Sequence, residues 1–225
     1  MGTITIQEET TMYPISLIGK EAGVCWGANT KDESKNYRRG IDCIHAEHGR
    51  TWEFPQVYLT VEGYSARVIR ELYTHIGGGP TRLQSSTRYV DYKSFEFVIP
   101  PSIKKDTRYL TVYKDTMANI SASLRQLEEL GAPREDIAML LPLGMSTRIV
   151  LRTNMRNLVD MSHQRLCNRA YWEFRTLMND IAKSLYYYSP EWEYVVDKLF
   201  VPKCDITGYC CEKKSCGRKP KKLED

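Results

Sequence analysis

The chain has 225 residues, 42% of them hydrophobic, enough to bury a substantial core in one domain or one domain with a short appendage. Its 32 basic and 28 acidic residues leave a net charge of +4, too small an excess to single out nucleic acid as a partner and equally compatible with anionic small ligands. No apolar run approaches the length of a membrane span, and the N-terminus lacks the charged-then-apolar layout of a secretion signal, so a cytoplasmic protein with its seven cysteines reduced is expected.

In chain order, residues 1–62 read as β-rich and irregular, punctuated by Gly19, Gly23, Gly27, Gly40 and Gly49, with Val57–Val61 as a strand. After Gly63 the period changes. Ile69, Leu72, Tyr73 and Ile76 fall at helical spacing, which predicts a helix over 64–76 ended by Gly77-Gly78-Gly79-Pro80. Tyr89–Ile99 alternates as a strand and stops at Pro100-Pro101. Thr107–Leu130 is the clearest helix, with Leu110, Tyr113, Met117, Ile120, Leu124 and Leu127 as its buried stripe. A short helix follows over Pro133–Leu140, then a strand over Ser146–Thr153. Two more helices run from Asn154 to about Arg165 and from Asn168 to Tyr188, with Asn168 as the N-cap and Ser189-Pro190 as the end. A domain over 1–202 and a Cys/Lys-rich tail over 203–225 are expected. The mixed order of elements favours an α+β fold, a mixed or antiparallel sheet packed with long helices. No strand-GxGxxG-helix signature is present, which argues against a Rossmann cofactor site.

Two polar constellations stand out. In the first, His75 precedes three glycines, whose backbone N–H groups can converge on an anion because no Cβ blocks the approach. The bland alternative is a glycine C-cap and a turn. Gln84-x-Ser86-x-Arg88 then places three polar side chains on one face of an extended chain: a fork for phosphate, a hydroxyl, and an amide suited to a pyrimidine edge. A solvated strand face would look the same. In the second constellation, Asn154, Leu158, Met161 and Arg165 share a helical stripe. An Arg ending an apolar stripe must meet an anion, a carboxylate or a polar ligand. Arg156, Asp160 and His163 lie opposite, where an exposed Arg156–Asp160 pair would contribute little.

The residues Leu141-Pro142, Thr147-Arg148, Thr153-Asn154-Met155-Arg156-Asn157-Leu158, Arg165 and Trp172-Glu173-Phe174-Arg175 resemble the C-terminal half of flavin-dependent thymidylate synthases. Upstream, His75, Gln84-x-Ser86-x-Arg88-Tyr89, Phe95-Glu96-Phe97 and Pro100 are similar to that family's signature region, so the resemblance spans about residues 45–200. It implies reductive methylation of dUMP to dTMP. Methylenetetrahydrofolate would supply the carbon, and FAD reduced by NADPH the hydride. It assigns dUMP to Glu71, Gln84, Ser86, Arg88 and Arg165, with Arg165 catalytic through ionisation of uracil N3. It assigns FAD to Thr51, His75, Gln84, Asn154, Arg156 and Asp160, in a homotetramer with sites shared between subunits.

The departures are specific. The family's Arg-His-Arg triplet is Thr74-His75-Ile76, its Glu is Gln84, the Gln before the His is Glu71, and an Arg expected before Pro142 is Ala138. Arg82, Arg169 or the glycine amides are the available replacements. Two other readings follow from the lost charge: a flavin enzyme acting on another pyrimidine nucleotide, for instance by hydroxymethylation, or a non-catalytic nucleotide- or nucleic-acid-binding protein. Cys204, Cys210, Cys211 and Cys216 are zinc candidates, although adjacent Cys210 and Cys211 are awkward ligands of one metal. Reduced thiols or a redox pair are the alternative.

Overall fold

A computed structural model describes residues 2–222. Strands β1 (Thr3–Ile6), β2 (Gln56–Ser65), β3 (Thr81–Gln84) and β4 (Ser146–Asn154) form an antiparallel sheet in the order β1-β2-β4-β3. The helices are α1 (Pro14–Gly23), α2 (Glu33–His45), α3 (Ala66–Leu72), α4 (Pro101–Lys104), α5 (Thr107–Glu129), α6 (Arg134–Ile137), α7 (Met155–Arg165), α8 (Trp172–Tyr186), α9 (Pro190–Leu199) and α10 (Lys203–Thr207). This is the α+β architecture anticipated. The chain falls into two compact units. One takes Val61–Tyr73 and Leu83–Val150 with the first residues. The other takes Ile4–Thr60, Thr74–Arg82 and the described chain from Leu151 onward.

In the first unit, the α5 stripe falls where its periodicity predicts. Met117 and Leu124 are buried with Phe95, Ile137 and Met145, and Tyr113, Ile120 and Leu127 are partly buried beside them. The capping Asp106 accepts the Arg108 N–H at 2.9 Å. The expected strand over Tyr89–Ile99 does not form. Asp91 accepts the Lys93 N–H at 2.9 Å, an aspartate turn that diverts the chain, and strand-like pairing there is limited to a bridge between Phe97 and Met145. The helix predicted over 64–76 is shorter. β2 runs on to Ser65, whose Oγ caps α3 by accepting the Val68 N–H at 3.2 Å. Tyr73 is the C-cap, so His75 lies outside the helix.

In the second unit, α1 and α2 replace the β-rich segment expected at the N-terminus. The glycines that read as breakers are where the two helices touch: a Cβ on Gly19 would lie 1.8 Å from the Asn36 carbonyl oxygen, and one on Gly40 2.0 Å from that of Ile15. Pro14 occupies the first turn of α1, and the Ile15 and Ser16 N–H groups donate to the buried Glu191 carboxylate at 2.6 and 2.9 Å. A carboxylate there satisfies orphan donors and complements the helix dipole. Glu191 belongs to α9, which the sequence reading missed by taking Ser189-Pro190 only as a stop. Ser189 is its N-cap, accepting the Trp192 N–H at 3.2 Å, and Pro190 fits the first turn. Asn168 does not cap α8. That helix starts at Trp172, and the Asn168 carbonyl accepts from Arg175 Nη1 at 2.8 Å.

Candidate active site

The turn from β4 into α7 organises the second unit's polar residues. Asn154 ends the strand and caps the helix, its Oδ1 accepting the Asn157 N–H at 2.8 Å. Asn157 donates in turn to Thr153 Oγ1 at 2.9 Å. Leu158 and Met161 anchor α7 with essentially no exposure, and the stripe ends at the partly buried Arg165 as expected. Its Nε donates to His75 Nε2 at 2.9 Å, and its guanidinium lies 4.4 Å from the Phe174 ring centroid. The His75 ring meets the same Phe174 edge-on, and Arg82 donates to the His75 carbonyl. Accepting from Arg165 requires a neutral imidazole with its proton on Nδ1. Burial, then Arg165 and Arg82, push the His75 pKa down to about 4.

The glycine loop sits on these asparagines. A Cβ on Gly77 would come 2.9 Å from Asn157 Oδ1, and one on Gly78 1.9 Å from Asn154 Nδ2. Gly78 and Gly79 have φ of +68° and +62°, and the Gly79 carbonyl accepts from Arg152 at 3.2 Å.

Arg156 pairs with Glu53 at 2.7 Å, not with Asp160 as the helical spacing suggested. Tertiary contact supplies a closer carboxylate than the next turn does. Glu53 lies in the short turn Thr51–Glu53, where the Thr51 hydroxyl donates to the His48 carbonyl at 2.7 Å. Trp52, Arg156, Asp160 and His163 line a pocket of about 740 Å³. The Trp52 Nε1–H is buried with no partner among the described residues, a donor left over for a ligand acceptor. His163 Nε2 stands 3.2 Å from the Leu199 carbonyl oxygen, and burial chiefly lowers its pKa. A cationic side chain, an orphaned donor and a roomy pocket fit a flavin nucleotide, provided its anionic part displaces Glu53 from Arg156.

Gln84, Ser86 and Arg88 belong to the other unit, with Glu71 on α3. Gln84 Nε2 donates to Thr147 Oγ1 at 3.3 Å. β3 ends at Gln84, so the trio is not one extended face: Ser86 starts a turn, accepting the Val90 N–H at 3.0 Å on its carbonyl. The turn instead gathers cations. Arg88 Nε meets Glu135 at 3.0 Å, and Arg134 reaches the Tyr89 carbonyl at 3.3 Å. Arg134 and Ala138 line the same small cavity, so an arginine stands one turn before the position where the family pattern expects one. Sequence reading missed Arg134, Glu53 and Trp52. A helical search around Ala138 could have found the first, while Glu53 and Trp52 carry no local signal. Of the replacements read from the sequence, Arg169 is exposed beyond the end of α7, and Arg82 donates to the His75 carbonyl. In the tail, Cys210 is buried and Cys211 exposed, and among the described residues no three metal-ligating groups are already gathered around one point.

The second unit of this α+β protein thus carries an Arg–His–aromatic cluster beside a capped β4–α7 turn. The family described as thymidylate synthase complementing protein, Thy1, matches residues 9–191, and the chain belongs to it. It is 28% identical to a flavin-dependent thymidylate synthase of Clostridium tetani in a match that covers 97% of this chain and 94% of that one. It is likewise 28% identical to the enzyme of that name from Nitratidesulfovibrio vulgaris over 190 residues (79% and 74% of the two chains). The Pyrococcus horikoshii enzyme of that name is 30% identical over 175 residues (74% and 69%).

Proposed function

We infer that this chain is a flavin-dependent thymidylate synthase, converting dUMP to dTMP with methylenetetrahydrofolate as carbon donor and NADPH as reductant. The observation that carries the reading is Arg165, held between a neutral His75 and the Phe174 ring, in a chain matched by the family over 9–191. FAD supplies hydride chemistry when bound, and Arg156, Asp160, Thr51, His75 and Asn154 are the residues that would hold it. A fixed guanidinium beside the uracil edge favours the form deprotonated at N3, which raises electron density at C5. Neutral His75 keeps Arg165 in place without competing as a second cation. Ser86, Arg88 and Arg134 supply hydroxyl and cationic groups for the nucleotide phosphate, with Gln84 and Glu71 at the base and ribose. A cytoplasmic homotetramer that completes each site from more than one subunit is part of this reading.

The test is the visible absorption spectrum of the protein before and after adding FAD and then dUMP, together with tritium release from C5-labelled dUMP. An oxidised-flavin spectrum perturbed by dUMP, with tritium released in the presence of methylenetetrahydrofolate and NADPH, is expected. A protein that cannot be loaded with flavin and releases no tritium would overturn the reading.

A further inference from the structure

The chain's excess of positive charge is concentrated in one place. Residues 203–222 carry seven basic and two acidic side chains, a net +5 against +4 for the whole chain. The segment begins with α10, which packs against α7. It then closes on itself: the Cys210 N–H donates to the Pro220 carbonyl at 2.7 Å, and Gly217, at φ +84°, reverses the chain between them. Between this segment and the end of α7 lies a cavity of about 510 Å³, a size common to small-molecule sites. Arg165, Arg169, Lys203, Arg218 and Lys219 line it, against one carboxylate, Glu212. Asp205 meets Arg218 Nε at 3.3 Å and Lys219 Nζ at 3.5 Å, so a single carboxylate serves two cations. Arg169 and Lys203 have no ion-pair partner among the described residues. Holding like charges together costs self-repulsion, which an anionic ligand relieves.

We propose that this cavity holds the γ-glutamyl tail of the folate co-substrate, and that the segment binds longer tails more tightly. This rests on the reading of the chain as a thymidylate synthase that takes its carbon from methylenetetrahydrofolate. The tail of a folate begins as an aminobenzoyl ring joined to a glutamate. Each further glutamate is linked through the γ-carboxyl and adds one free carboxylate. Both parts have a counterpart here. Ala170 and the buried Pro202 and Cys210 offer the ring an uncharged wall. The cations come from three separate stretches of chain, and Lys213, Lys214, Lys221 and Lys222, all exposed, continue the series. That number selects among anions. A nucleotide concentrates its charge on one or two phosphates, which a single arginine fork or a pair of cations can meet. A chain of carboxylates needs charge repeated along its length, and lysines, as point charges on flexible stems, can follow a tail of variable reach. The cavity also borders Arg165, assigned above to the uracil edge. A folate anchored by its tail is therefore kept at high effective concentration beside the residue that activates the base.

The experiment uses the full-length protein under reducing conditions and a probe without pteridine: p-aminobenzoyl-γ-glutamates of differing length, from the monoglutamate to the tetraglutamate, measured by equilibrium dialysis. At low salt each added carboxylate should tighten binding by about two- to fivefold, the worth of one exposed ion pair, and the gain should shrink as salt screens the charges. Arg169→Gln combined with Lys203→Gln should remove much of the length dependence, while Lys31→Gln, outside the cavity, keeps it. Both cavity residues are exposed, so the fold should persist, and the wild-type length series decides the matter even where a variant fails to fold. Equal affinity for the mono- and tetraglutamate would overturn the proposal. So would full length dependence in the double variant. Displacement of the tetraglutamate by NADPH or by a single-stranded oligonucleotide, at a lower concentration than the tetraglutamate itself needs, would assign the cations to phosphate and overturn it as well. Because the probe requires neither flavin nor turnover, the two readings separate. Formation of dTMP without length dependence removes this site alone, and length dependence without dTMP formation leaves the site and removes the thymidylate synthase reading.

Discussion

Replacing Gly78 by alanine tests why the loop after His75 is made of glycine. Gly78 and Gly79 have nearly the same backbone, with φ of +68° and +62°. An alanine at either position costs roughly 1–2 kcal/mol for the left-handed conformation. Only the first meets an obstacle: its Cβ would come 1.9 Å from Asn154 Nδ2, whereas nothing lies within 4 Å of a Cβ on Gly79. Asn154 must therefore move, and its Oδ1 loses the Asn157 N–H that it accepts at 2.8 Å. Losing an Asn cap costs roughly 0.5–2 kcal/mol. Gly79→Ala is thus expected to destabilise the protein by about 1–2 kcal/mol, and Gly78→Ala by about 1.5–4 kcal/mol. Urea unfolding of both variants, compared at constant m-value, measures the difference. Flavin content follows the same order, because Asn154 is among the residues that would hold the cofactor. Equal destabilisation of the two variants would show that the loop does not rest on Asn154, and would remove the steric account of the glycines.

Arg165→Lys keeps the charge but loses the planar stack on Phe174 and the Nε–H to His75. Turnover should fall by roughly 10²–10³-fold with flavin content little changed, and normal turnover would exclude Arg165 from catalysis. Glu53→Gln frees Arg156 for an anion, so FAD should bind more tightly in a fluorescence titration; weaker binding would place Arg156 outside the flavin site. Arg134→Ala should raise KM for the nucleotide with kcat nearly unchanged, and an unchanged KM would deny that it replaces the arginine missing at Ala138. The His75 pKa of about 4 lies below its ordinary 6.5, so the unfolded chain takes up the proton first. The stability from His75 is complete above about pH 6.5 and is lost as the pH falls toward 4. It amounts to about 1–2 kcal/mol after discounting for a partly exposed ring. The slope of unfolding free energy over that window should flatten in His75→Gln, and an unchanged slope would contradict the neutral pairing.

Much of the scaffold was legible because its signals are local. The α5 stripe, the alternation of β4 and the Asn154 cap of α7 are set by residues within a few positions of one another, where periodicity and side-chain-to-backbone hydrogen bonds act. Local signals also misled. Gly19 and Gly40 read as breakers but are points where the α1 and α2 backbones leave no room for a Cβ, and alternation over 89–99 was overruled by the Asp91 turn. The chemistry-bearing residue types, from His75 to Arg165, and the family they resemble were determined by the sequence itself. Tertiary structure decided what each does: Arg165 meets His75 across 90 residues, and Arg156 finds Glu53 across 103 rather than Asp160 on the next turn. Those pairings, and the burial that keeps His75 neutral, depend on which distant surfaces exclude water together, and no short stretch of sequence carries that information.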